Sequence, residues 1–193
     1  MHRLREQFLL HRIRTRHDTH AFAEIYDAYA DRITRFIRLK VGSMDDAQEI
    51  KSEVFERAWK SLCEQRVSHL SAYIYTVARR AVADHYRAKS RQVQTVDLEE
   101  GVKRLDDDTT IVQTIMVRAD LKDIAEALDG LYEDYRELIV LRFMDELSIA
   151  EIAEALQKTP NNVRVTLHRA IGSLKRAVSE RETSVSERKT KEE

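Results

Sequence analysis

Pro160 is the only proline in 193 residues, and glycine occurs four times. A chain so poor in turn-forming residues cannot supply the hairpins that a sheet requires, whereas Ala, Leu, Arg, Glu and Lys, which fill helices at little cost, abound. The expected fold class is all-α. Apolar residues make up 42% of the chain, enough to give each of two small helical domains its own core. Acids and bases nearly cancel, with a net charge of -1, but they are unevenly spread. Residues 71–91 carry Arg79, Arg80, Arg87, Lys89 and Arg91 against Asp84 alone, and residues 160–178 carry Arg164, Arg169, Lys175 and Arg176 against no acid. That local distribution sets the field a ligand meets.

The segment 148–178 reads as two amphipathic helices joined by a four-residue turn. Ile149, Ile152, Ala153 and Leu156 recur at i, i+3, i+4 and i+7 and stack as one apolar stripe. The second helix opens with Thr159 as N-cap and Pro160 at its first position, where a missing N–H costs nothing. Val163, Leu167, Ala170, Ile171 and Leu174 form its inward stripe. Steps of 100° per residue then place Asn161, Asn162, Val165, His168 and Arg169 on the far side, with Arg164 on the flank. Amides and guanidinium groups match the major-groove edges of adenine and guanine, and an outward Val165 suits a thymine methyl. A plain surface hairpin of helices gives no reason for a face free of carboxylates, so this pair is read as a helix-turn-helix for duplex DNA.

Further helical patterning runs from residue 20 to 89, broken at Val41-Gly42-Ser43 and at residues 64–68. Phe22, Ile25, Tyr26, Tyr29, Ile33, Phe36 and Ile37 make a first stripe, Ile50, Val54, Phe55, Ala58 and Trp59 a second, and Ile74, Val77, Ala78 and Ala81 a third. Residues 1–89 are thus expected to form one domain, preceded by a short amphipathic helix that uses Leu4, Phe8 and Ile13. In residues 90–116 the pattern fails and Asp97, Glu99, Glu100, Asp106, Asp107 and Asp108 outnumber Lys103 and Arg104, which points to a flexible acidic tether. Residues 117–178 hold the second domain, and residues 179–193 are a charged tail without a stripe.

On the third helix of the first domain, Thr76, Arg79, Arg80, Ala83, Tyr86 and Arg87 share the side opposite the stripe, beside Tyr73 and Tyr75. Asp84 stands one turn from Arg80 and three residues from Arg87, where it is expected to orient both. Cations for phosphates and aromatics for unstacked bases suit partly single-stranded DNA. A duplex reader and a single-strand reader on one tether make a bivalent protein.

These motifs, in this order, resemble the extracytoplasmic-function group of the sigma-70 family. Asp46-Ala47-Gln48-Glu49-Ile50 through Glu53-Val54-Phe55-Glu56-Arg57-Ala58-Trp59 is similar to the family's second-region helix, and Tyr73-Ile74-Tyr75-Thr76-Val77-Ala78-Arg79-Arg80 through Asp84-His85-Tyr86-Arg87 to its −10-reading and melting segment. Tyr135-Arg136-Glu137-Leu138 through Leu141-Arg142-Phe143, with Ser148 to Ala153 and Val163 to Ala170, is similar to the fourth region that reads the −35 element. The resemblance implies binding to core RNA polymerase, with Asp46, Glu49, Ser52, Glu53 and Arg57 as contacts, promoter DNA held double-stranded at −35 and melted at −10, and an anti-sigma partner. The chain departs from the family pattern at Tyr73, often Trp, at Arg80, often Asn, at Ser52, often Gln, and at Val165-Thr166, often Ser-Arg. Residues 63–70, where the family captures a flipped base, reveal no pocket in the sequence.

Other classes fit less well. A regulator reading DNA only through residues 117–178 leaves the aromatic and basic face of the first domain unused, and a helical adaptor leaves both basic faces unexplained. No Gly-rich phosphate loop or nucleophile with a neighbouring base is present, so no enzyme activity and no cofactor are expected. His11, His17 and His20 are read as helix surface rather than metal ligands. The lone Cys63 excludes an internal disulfide and fits a cytoplasmic setting, and no apolar run approaches the ~18 residues that span a bilayer, so no membrane insertion is expected.

Overall fold

The computed structural model describes residues 3–89, 128 and 130–189, which divide into two compact units. The tether at residues 90–116 and the start of the second domain at 117–127 lie outside the described residues. Among those described, no residue is in a strand.

In the first unit, α1 (Arg3–Arg16), α2 (Thr19–Arg38), α3 (Met44–Glu64) and α4 (Leu70–Lys89) follow one another with short connections. Each boundary has a local cause. The Asp18 carboxylate caps α2 by accepting from the Ala21 N–H at 3.0 Å, and that bond, together with Arg12, holds its pKa below the usual carboxylate range. Ser43 caps α3 by accepting from the Asp46 N–H at 3.3 Å, with Asp45 and Asp46 in the first turn where the helix dipole favours them.

The core is what the stripes predict, with one side of each helix removed from water. Ile25, Tyr29, Ile33, Phe36 and Ile37 of α2 are buried with Ile50, Val54, Phe55, Ala58 and Leu62 of α3 and Ile74, Val77, Ala78 and Ala81 of α4. Phe22 and Tyr26, expected in the same stripe, lie at its edge, where Phe22 meets Trp59 edge-on at 5.1 Å and Tyr26 meets Phe55 at 4.6 Å. The first helix differs from expectation. Leu9, Leu10 and Ile13 are buried while Leu4 and Phe8 are 78% and 59% exposed, because Leu9 and Ile13, one turn apart, share an edge with Leu10 that Leu4 and Phe8 do not. Tyr29 then secures the helix, its hydroxyl donating to Glu6 at 3.0 Å.

Later in the chain come α5 (Glu133–Ile139), which widens into a π-helical turn at Val140–Met144, then α6 (Ile149–Leu156) and α7 (Pro160–Lys189). Helix α6 begins with a reciprocal capping box. Ser148 donates its backbone N–H and its hydroxyl to the Glu151 carboxylate at 2.8 and 2.7 Å, and Ser148 Oγ accepts from the Glu151 N–H at 3.3 Å. It ends in a Schellman arrangement, with Gln157 left-handed at φ 54° and its N–H donating to the Glu154 carbonyl, while the Lys158 N–H reaches the Ala153 carbonyl at 2.9 Å. The connection to α7 is three residues, Gln157 to Thr159, one fewer than expected. Val163, Leu167, Ala170, Ile171 and Leu174 are buried as the spacing predicts. The helix runs to Lys189, beyond the point where the stripe fails, since neither glycine nor proline follows Gly172 to stop it.

Two substitutions test the ends of α6. Ser148→Ala removes the hydroxyl half of the capping box, leaving the backbone N–H on Glu151, and is expected to lower stability by about 1 kcal/mol, whereas Gln157→Gly relieves a left-handed Cβ and is expected to raise it by up to ~1 kcal/mol. Urea denaturation of the full chain followed by circular dichroism measures both.

Candidate nucleic-acid interface

Helix α7 carries the expected recognition face. Thr159 Oγ1 accepts from the Asn162 N–H at 3.2 Å, so the first turn is capped, and Pro160 occupies the first helical position. Asn161, Arg164 and Arg169 are exposed, and Asn162 and His168 are half-buried. The Asn162 amide oxygen accepts from Thr166 at 3.3 Å, leaving its amide nitrogen for an outside acceptor. Val165 corrects the sequence reading. It is only 6% exposed, because an aliphatic side chain leaves water wherever the chain's own atoms can cover it, and so it does not present a methyl-reading surface here.

Helix α4 separates its tyrosines. Tyr75 is fully buried and stacks edge-on with Phe36 at 5.2 Å, so it belongs to the core and not to a stacking platform. Ser71, Tyr75, Ala78 and Val82 form a second stripe beside that of Ile74, and with Leu70 and Ala72 nine residues of the helix are buried. Tyr73 is half-buried with Thr76 and Arg79, while Arg80, Tyr86 and Arg87 are exposed. The Tyr86 hydroxyl donates to the Lys40 carbonyl, which holds its ring at the end of α2.

Asp84 does pair with Arg87, at 3.2 Å, but its other partner is Arg57 of α3 at 2.8 Å rather than Arg80. A guanidinium arriving from a packed neighbouring helix competes well with one that must fold back along its own helix surface. The Arg57 bond holds the Asp84 carboxyl below its usual pKa, and the same bond raises that of Arg57.

The five residues expected to meet polymerase all lie on α3, in two groups. Glu49 and Ser52 are exposed, with the Ser52 hydroxyl donating back to the Gln48 carbonyl at 3.0 Å. Asp46, Glu53 and Arg57 are engaged within the unit. Asp46 accepts from Lys89 at 3.0 Å and lies 3.5 Å from His85, and the Lys89 bond lowers its pKa. Glu53 and Arg57 meet at 2.5 Å one turn apart.

One feature escaped sequence reasoning. A cleft of about 440 Å³ is lined by Gln7, Leu10, His11 and Arg14 of α1 together with Leu62, Gln65, Arg66, Val67 and Ser68. Residues 65–68 supply only one wall of this cleft and α1 supplies another, and Gln7 ties the two by donating to the Ser68 carbonyl at 3.2 Å. Among the described residues no cluster of three His, Cys, Asp or Glu is placed to hold a metal ion, and no helix is long and apolar enough to cross a membrane.

Residues 25–92 match the sigma-70 region 2 family and residues 121–174 the sigma-70 region 4 family. The chain is 28% identical over 160 residues to the ECF RNA polymerase sigma factor BldN of Streptomyces coelicolor, covering 80% of this chain but only 59% of that protein. It is 29% identical over 167 residues to the ECF RNA polymerase sigma factor SigW of Bacillus subtilis, covering 82% and 89%. Two solved structures share the fold. CnrH, in complex with the cytosolic domain of CnrY, covers 91% of this chain and 98% of its own at a TM-score of 0.64 and 18% identity. The sigma factor RpoE of Bartonella quintana, in complex with the anti-sigma factor NepR, covers 82% and 96% at 0.61 and 20%.

The tyrosines of α4 separate experimentally. Tyr75→Ala is expected to cost ~3–5 kcal/mol of stability, as removal of a fully buried aromatic does, while Tyr86→Ala changes stability by roughly 1 kcal/mol at most. A larger loss for Tyr86 than for Tyr75 in urea denaturation would reverse the assignment.

Proposed function

Because the chain belongs to the sigma-70 family, as an extracytoplasmic-function sigma factor directing promoter-specific initiation by RNA polymerase, we propose the following division of labour among its residues. The acid-free first turns of α7 read the −35 duplex. Asn161, Asn162, Arg164, His168 and Arg169 face the major groove, and the fixed N-cap sets their angle. Val165 takes part only if binding uncovers it. The exposed end of α4 meets the −10 strand through Arg80, Tyr86 and Arg87, with Tyr73 and Arg79 at the edge of that surface. An extruded base enters the cleft between α1 and residues 65–68, where amides, an imidazole and two guanidinium groups offer donors and acceptors to its edge. The outward carboxylate of Glu49, with Ser52, Glu53 and Asp46 along the same helix, docks on polymerase. An anti-sigma protein is a fitting further partner, since the similar Bartonella sigma factor has one bound. Work on core polymerase places the chain in the cytoplasm, in keeping with its single cysteine.

The observation that carries this reading is the pairing of two basic helical faces, α4 and α7, each matched by a different region of the same family. Runoff transcription tests it, with the purified chain and bacterial core polymerase on genomic fragments that include the chain's own upstream region. Discrete transcripts requiring both components are expected, and binding to those fragments without polymerase, in the absence of transcripts, would favour a stand-alone regulator. On a promoter recovered that way, Arg169→Ala is expected to weaken binding by ~1–3 kcal/mol if its guanidinium reads a base. An unchanged affinity would remove Arg169 from the recognition face.

A further inference from the structure

We propose that Arg57 is a positioning residue for promoter opening, and not a polymerase contact: it clamps the Asp84 carboxylate and thereby sets the direction in which Arg87 is presented. The proposal rests on the reading that α4 faces the −10 strand. Its basis is a chain of three ion pairs crossing from one helix to the next. Arg57 Nη2 meets Glu53 Oε1 at 2.5 Å on its own helix, and its Nη1 meets Asp84 Oδ2 at 2.8 Å on α4. The second oxygen of the same carboxylate, Asp84 Oδ1, meets Arg87 Nη1 at 3.2 Å. A carboxylate is planar, so holding one oxygen from α3 restricts the directions along which the other can accept. Arg87, whose side chain is 79% exposed, is therefore aimed by a residue on a different helix.

Arg57 is suited to this task and poorly placed for another. Two of its terminal nitrogens are used within the unit, and a rigid planar fork can bridge two carboxylates at a set angle where a lysine ammonium cannot. Helices α3 and α4 do not depend on it for their packing. Their buried residues Val54, Phe55, Ala58, Ala78 and Ala81 hold the core, and a second clasp joins the same helices through Asp46 and Lys89. Such half-exposed pairs contribute little to stability, which leaves orientation as their effect.

The experiment uses holoenzyme assembled from core polymerase and the full chain, on a promoter fragment recovered by runoff transcription and on the same fragment with its −10 segment pre-melted by mismatches. Arg57→Ala is expected to bind core within about twofold of the parent, yet to open the duplex promoter on the order of tenfold more slowly, as small misplacement of a reacting group does. The pre-melted template should restore most of the loss. Arg57→Lys should recover only part of it, and the double variant Arg57→Ala with Asp84→Asn should be no worse than the more severe single, since the two act through one contact. Loss of core affinity with normal opening would make Arg57 a polymerase contact and overturn the proposal. So would equal loss on both templates, full rescue by lysine, or additive effects. A parent chain that gives no transcript on any template would instead overturn the sigma-factor reading on which the proposal stands.

Discussion

Every described helix must give one side to a core, and that single constraint determines what is left for recognition. With one proline and four glycines in the chain and no strand among the described residues, the described residues include few loops on which to mount contacts. Its binding surfaces are the remainders of helices after the apolar stripe is subtracted. On α7 the main stripe of Val163, Leu167, Ala170, Ile171 and Leu174 occupies a narrow arc, and the amides and cations fall opposite it on either side of the buried Val165. On α4 the remainder is narrow, because two adjacent stripes, with Leu70 and Ala72, bury nearly half of the helix and leave Arg80, Tyr86 and Arg87 as the exposed edge. A broad rigid face suits a groove of fixed shape. A narrow edge of cations with one ring suits a single strand that can adjust itself to the protein.

What was legible in the sequence was the local part of this arrangement. The cap at Thr159, the break at residues 41–43 and the inward stripes of α2, α3 and α7 depend on residues within one or two turns of each other, and spacing alone reveals them. The misreadings share one cause. Centring the buried arc on Ile74 turns Tyr75 outward, whereas Ser71, Ala78 and Val82 shift that centre towards it. Asp84 was given partners on its own helix, but Arg57, 27 residues away, holds one of its oxygens. The cleft could not be found from residues 63–70 because its other wall starts at Gln7, 61 residues from Ser68. Contacts at such separations are settled by packing, and periodicity carries no information about them.

Electrostatics follow the same division between local and distant. The acids of α3 serve two ends at once. Asp46 sits in the first turn, where the helix dipole stabilises it, yet it also accepts from Lys89 at the far end of α4. Glu53 supports Arg57, and Arg57 supports Asp84. The Lys89 and Arg57 partners hold the carboxyl pKa values of Asp46 and Asp84 below their usual range, so both groups are ionised at neutral pH and lose these pairs only as pH falls through the lowered values. A helix rich in exposed acids is thereby linked to a helix with an exposed basic edge. The basic face of α4 is in this sense a shared property of two helices, although the sequence presents it as one.

The connection between α6 and α7 shows the opposite strategy, in which orientation is built from backbone alone. Within Ala153 to Asn162 the chain makes a Schellman end, accepts a left-handed Gln157, caps with Thr159 and starts again at Pro160. Each device removes freedom from φ and ψ, and the left-handed glutamine costs roughly 1 kcal/mol that the surrounding hydrogen bonds must offset. Accepting that cost makes physical sense if the angle of α7 matters more than the stability of the turn. A reader of base edges has to bring side chains within hydrogen-bond distance of fixed positions in a groove, and an error of a few degrees at the first turn displaces Arg164, His168 and Arg169 progressively along the helix. A backbone-locked turn before α7 leaves little room for such an error, which is what a helix proposed to meet an already formed duplex needs.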